Sequence, residues 1–258
     1  MQPKLAFGVE PARRRFSLRL ARYEALAETL EGLLAEGQGP LRVLDVGVGR
    51  GRTWRYCEAR PGAERLVLTG VDLNLPRLQT LYGRERWRLA RVDLHQGLPF
   101  RDQSFEVVIC EQLLEHLAAP EALIAELTRV LRPGGVAIVG VPTFPPGWRA
   151  FRASIWPRVV GESDHQQAFS LGSLCRLLEE GGLKVRSARG FRLASGGALA
   201  PLEDRRWFWR LSAFWGRTFP GLCVEVQVVA RRTGADLDAL GAPPHHGGST
   251  RETNESPA

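Results

Sequence analysis

The chain has 258 residues, 44% of them hydrophobic, and 35 Lys and Arg against 28 Asp and Glu, which gives a formal charge of +7 and a pI of about 9.9. That apolar content suits one α/β domain of ordinary size, and no apolar run reaches the length of a membrane span. Four cysteines without a C-x-x-C pair exclude a zinc cluster or a disulfide framework as the organising device and read as reduced thiols.

The first ten residues lack the apolar core of a signal peptide, so the expected location is cytoplasmic, and residues 1–12 are expected to form an arm. The arginines are spread along the chain. Such a balance is compatible with nucleic acid or anionic lipid, but it governs attraction and solubility, not chemistry. From 13 to 35, Leu18, Tyr23, Leu26, Leu30, Leu33 and Leu34 recur at three- and four-residue steps, which predicts an amphipathic helix ended by Gly37 and Gly39.

Leu41, Val43, Leu44 and Val46 then have the composition of a strand buried on both faces of a parallel sheet. Gly47, Gly49 and Gly51 follow at once, where residues without a Cβ let the backbone turn sharply and lie against a ligand. A helix opening near Arg52 would aim its unpaired N–H groups at that turn. A dinucleotide fingerprint would need glycine at 52, and no Gly-Lys-Ser/Thr closes the turn as in a P-loop. What stands here is Asp45, two residues ahead of three alternating glycines.

A short helix over 53–59 is closed by Pro61 and Gly62, and a second buried strand, 65–73, ends on Asp72. Asp72 follows the turn by about twenty residues, where a doubly wound fold puts the carboxylate that accepts from ribose hydroxyls. A dehydrogenase would share that feature. Asn74 ahead of Pro76 fits the N-cap of a helix over 75–81. A third strand, 88–94, ends on Asp93, and a fourth, 105–112, carries Glu111 and leads to His116. Pro120 opens an amphipathic helix to 131, Arg132 to Gly135 stop it, and strand five runs over 136–142. Five βα steps predict a parallel sheet with right-handed crossovers and helices on both faces.

Taken in order, Asp45 to Gly51, Asp72, Asp93, Glu111 to His116 and Arg132 to Gly135 resemble the class I S-adenosylmethionine-dependent methyltransferases across 41–142. The likeness is to the small-molecule branch often called type 11. It implies an α/β fold: a doubly wound, mostly parallel seven-stranded Rossmann-like sheet, last strand antiparallel, with helices on both faces. It also implies S-adenosyl-L-methionine as cofactor, with Asp45, Gly47, Gly49, Gly51, Asp72, Leu73, Asp93, Leu94 and Glu111 as its binding residues. The stretch from Asp93 to Phe105 is similar to the family segment that closes over adenine, the acid accepting from the exocyclic amine.

Beyond Pro142, residues 143–169 are expected as a lid segment, too long for an idle loop. Ser170 fits the N-cap of a helix over 171–180 ended by Gly181 and Gly182, and strands follow at 183–191 and 223–231. Residues 193–221 are glycine-rich, then aromatic. Five of the seven tryptophans fall between 148 and 215, fit for an apolar pocket, a membrane interface or core packing. The expected domain is therefore 13–233, with a disordered tail over 234–258. No metal site is expected, and the pair His245 and His246 reads as part of the tail.

Methyl transfer from a sulfonium is an in-line substitution in which orientation supplies about 7–11 kcal/mol in favourable cases. An oxygen or nitrogen nucleophile must also lose a proton. His165, which the resemblance places beside the transferable methyl, is the first candidate base, followed by His116 and Glu111. The expected acceptor is a small molecule, or a lipid or saccharide, accepting on oxygen; peripheral membrane contact stays open. An RNA methyltransferase is the alternative, disfavoured because Glu111, Gln112, Leu113 and Leu114 stand where base-amine enzymes carry Asn/Asp-Pro-Pro-aromatic. A non-catalytic binding module is the other, although intact glycines and acids argue against decay of the site.

Overall fold

In the computed structural model, residues 21–83, 87–143, 166–192, 202 and 205–233 are described. The expected arm, the start of the first helix, most of the 143–169 segment with His165, and the tail lie outside them.

The sheet explains the rest of the architecture. β1 (Leu41–Val46), β2 (Leu66–Asp72), β3 (Trp87–Arg91), β4 (Phe105–Glu111), β5 (Leu131–Pro142), β6 (Leu183–Phe191) and β7 (Glu225–Arg232) stand in the order β3-β2-β1-β4-β5-β7-β6. The first five pair in parallel, and β7 pairs antiparallel to both β5 and β6. The order reverses between β1 and β4, and in such sheets the crevice beyond the strand ends at this switch point receives ligands.

Two apolar layers cover the faces. Leu26, Leu30 and Leu34 of α1 (Ala21–Glu36), with Trp54 of α2 (Arg52–Cys57) and Leu78 of α3 (Leu75–Gln79), pack on Val43, Val107, Ile109 and Ile138. On the other side Leu123, Ile124 and Leu127 of α4 (Pro120–Val130) and Leu174 and Leu178 of α5 (Leu171–Glu180) meet Leu44, Val46, Val108 and Val139. Alternate residues of each strand serve opposite layers because side chains alternate across a pleat. Each fully buried leucine contributes about 1.5–3 kcal/mol relative to exposure.

The expected caps form. Asn74 Oδ1 accepts from Arg77 N at 3.0 Å, and Ser170 and Ser173 exchange bonds at the start of α5. Most expected bounds shift by one to three residues, and the largest difference is in strand five, which begins at Leu131, not 136. Arg132 to Gly135 form an irregularity inside it, where the register with β4 shifts between Phe105 and Val107 and Gly134 takes φ +74°. The region 193–221, given no element from sequence, contains the helix α6 (Arg206–Thr218).

Candidate cofactor site

The turn after β1 is built by glycine for three different reasons. Gly47, Gly49 and Gly51 have φ of +78°, +57° and +61°, a region that side chains disfavour. A Cβ at Gly47 would press Leu113 at 3.2 Å, and one at Gly51 would meet Trp87 at 3.0 Å. At Gly49 it would meet only the Gly47 carbonyl at 3.8 Å, so this glycine keeps space open and the other two fit the turn to its neighbours. Gly47 N and Val48 N donate to Val71 O at 2.8 and 3.0 Å, which staples the turn to β2.

Asp72 fixes the same turn with its side chain. One carboxylate oxygen accepts from Gly49 N and the other from Asn74 N, each at 2.8 Å. Leu73 beside it is exposed. Asp93, past the end of β3, accepts from His95 N at 3.1 Å and caps the short turn that Leu94 begins.

Below the turn lies a polar hollow of about 300 Å³, lined among others by Arg22, Tyr23, Asp45, Gly47, Gly49 and Glu111. Of the residues predicted for the cofactor, Asp45, Gly47, Gly49 and Glu111 therefore share one cavity, and Asp72 is tied to its rim through Gly49. Gly51 faces the packing beneath. Asp93 and Leu94 stand on the next strand end but one from β1 and do not line it.

The floor is acidic and enclosed. Burial, then the charge of Glu111, pushes the Asp45 carboxyl up to about 8. Burial likewise pushes Glu111 up to about 7, while Arg22 and a bond from Gln227 pull it back. Gln227 Nε2 donates to Glu111 Oε1 at 2.8 Å, whereas Oε2 is buried with no hydrogen-bond partner among the described residues. A buried acceptor left in this state favours a protonated carboxyl or a donor brought by a ligand.

Of the candidate bases, His165 lies outside the described residues. Its chain neighbour Gln166 donates to the Glu115 carbonyl at 2.7 Å, next to His116 in the turn after β4. Glu115 itself is buried, its carboxyl pushed up to about 7 by burial.

Sequence reasoning missed Arg22, Tyr23, Gln227 and Glu225. Arg22 donates to Glu225 at 3.3 Å and to Tyr23 Oη at 3.0 Å, and Arg192 donates to Glu225 at 2.8 Å. The signal for those on the last strand was present: Glu225 and Gln227 alternate with Val226 and Val228 in its buried first half.

Comparison with known proteins agrees with this geometry. A family model described as Methyltransferase domain matches residues 44–139, from within β1 into β5. Residues 44–139 thus match a methyltransferase domain, and the chain is similar in sequence and fold to class I S-adenosylmethionine-dependent methyltransferases. It is 31% identical over 194 residues to a Mycolicibacterium smegmatis protein described as a probable S-adenosylmethionine-dependent methyltransferase, covering 72% of this chain and 63% of that one. It is 28% identical over 163 residues to the ubiquinone biosynthesis O-methyltransferase of Aeromonas salmonicida, covering 59% of this chain and 67% of that relative. The chain spans about half to two thirds of the length of the curated relatives it matches. In fold it is similar to the Burkholderia thailandensis 1,6-didemethyltoxoflavin-N1-methyltransferase solved with S-adenosylhomocysteine, with a TM-score of 0.52 at 19% identity over 83% of this chain and 81% of that one.

The hollow fits the family's cofactor on three counts. It lies at the switch point, it is opened by Gly49, and it is lined by Asp45 and Glu111, two carboxyls of the kind that pair with a cationic amine.

Proposed function

We propose that this protein transfers a methyl group from S-adenosylmethionine to the oxygen of a small, largely apolar or amphipathic molecule. The observation that carries the reading is the shared cavity of Asp45, Gly49 and Glu111, with its turn held by Asp72. When bound, the cofactor supplies an electrophilic methyl on a sulfonium. Asp45 and Glu111 then hold the amino-acid end of the donor, Asp72 and Leu73 flank the sugar, and Asp93 and Leu94 receive the base.

These roles make Glu111 a binding carboxylate. Its cap by Gln227 and its enclosure leave it little reach toward an acceptor. Proton removal falls to His165, with His116 as the alternative. The tether of Gln166 to Glu115 supports this, since it keeps the chain next to His165 beside the turn that carries His116. Similarity to the Aeromonas ubiquinone biosynthesis O-methyltransferase supports oxygen and an amphipathic acceptor.

Calorimetric titration with S-adenosylmethionine tests the first half, with micromolar binding expected. Asp72→Ala frees Gly49 N and Asn74 N from their charged acceptor and should weaken binding by about tenfold or more. No heat with either S-adenosylmethionine or S-adenosylhomocysteine would refute the reading. Production of S-adenosylhomocysteine with a metabolite extract, traced by labelled methyl, separates a catalyst from a binding module.

A further inference from the structure

The outer face of α6 is apolar where a helix on a protein surface is usually polar. Trp207, Leu211 and Phe214, at steps of four and three, are 58%, 46% and 65% exposed, and Phe219 and Leu222, just beyond the helix, are exposed as well. Steps of four and three put these side chains on one stripe. The stripe is not a misplaced core face, because the opposite side of α6 already packs. Phe208 and Ser212 are buried, and Gly216 lies so close to the Gly190 carbonyl that a Cβ would stand 2.0 Å from that oxygen.

Charge identifies what the stripe fits. No Asp or Glu occurs from Arg205 to Leu222. Arg205, Arg210 and Arg217 are exposed, and none takes part in the ion pairs found among the described residues. Arg210 and Arg217, seven residues apart, run along one flank of the stripe. Wide Trp, Leu and Phe side chains beside unpaired guanidiniums suit the boundary between acyl chains and anionic headgroups. Nucleic acid would be met by guanidiniums and stacking rings, and Leu211 at the centre of the stripe offers neither.

We propose that α6 docks this protein on anionic lipid surfaces, with Trp207, Leu211 and Phe214 entering the acyl boundary and Arg210 and Arg217 contacting headgroup phosphates. The docking needs no methyl transfer and no particular acceptor, so it stands apart from the function proposed above.

Flotation with phosphatidylcholine vesicles, with and without phosphatidylglycerol, tests it on the full chain. The protein should float with phosphatidylglycerol vesicles and stay behind with phosphatidylcholine alone. Arg210→Ala with Arg217→Ala should lower partitioning roughly 25-fold, at about fivefold per arginine. Trp207→Ser with Phe214→Ser should abolish it while the thermal midpoint stays unchanged, since both side chains are exposed. Equal flotation of the parent and both variants would overturn the proposal, as would no flotation of the parent. A dimer dissolved by the Trp207→Ser, Phe214→Ser pair without vesicle binding would overturn it in favour of a second copy of this chain. RNA binding without vesicle binding would do the same in favour of nucleic acid.

Discussion

Asp45 is buried and Glu111 half-buried, and burial raises the cost of their charge, so each holds its proton to higher pH than in an open chain. With carboxyls pushed up to about 8 and about 7, both carry protons at neutral pH to a large extent. A cation placed beside them favours the charged forms and drives those protons off. Binding of S-adenosylmethionine, an ammonium and a sulfonium in one molecule, should therefore release protons near pH 7, and its affinity should rise from pH 6 to pH 8. Calorimetry in phosphate and in Tris measures the release, and Glu111→Gln should reduce it. In the ligand-free protein the sign is opposite. Folded-state values above the ordinary 3.8 and 4.5 give stability that is present at acid pH and lost as pH rises through about 8. At this scale the sequence shows Asp45 and the glycines plainly, because they act within seven residues of one another. It does not show that Gln227, 116 positions from Glu111, caps that carboxylate.

Among the elements, those with a simple apolar rhythm are legible and the one with mixed chemistry is not. β6 matches its expected bounds at 183–191, and Asn74 and Ser170 cap as read, because short runs and local hydrogen bonds need no distant partner. α6 escaped because its tryptophans and arginines obscure the period, and its buried side relies on Gly216, which has no side chain to betray it. That glycine yields a prediction. Alanine is favoured in helices by about 1 kcal/mol, yet here its Cβ would lie 2.0 Å from the Gly190 carbonyl oxygen, with backbone on both sides of the contact. Displacing α6 from β6 should outweigh the helical gain, so Gly216→Ala should destabilise by about 1–3 kcal/mol in urea unfolding. The fluorescence of Trp209 and Trp215, on the same helix, should shift with it.

Across the whole molecule, the first described helix and the last strand are tied together beside the cavity. Glu225 of β7 accepts from Arg22 of α1, 203 residues earlier, and from Arg192 just after β6, and all three side chains are at most 18% exposed. Nothing in the sequence links these positions; only the insertion of β7 between β5 and β6 brings them to one spot. Burial opposes the charge on Arg22, but Tyr23 and Glu225 outweigh it and hold its pKa above the ordinary value. A carboxylate shared by two half-buried guanidiniums is costly to remove, because it is the carboxylate both of them bond. Glu225→Ala should therefore cost about 3–5 kcal/mol in urea unfolding. The exposed pair of Arg231 with Glu36 should cost no more than about 1 kcal/mol when Glu36 is changed to Ala. Arg22 and Tyr23 line the hollow, so Glu225→Ala should also weaken S-adenosylmethionine binding, whereas Glu36→Ala should leave it unchanged. A loss of stability without a loss of binding would show that α1 fastens the sheet but does not shape the site.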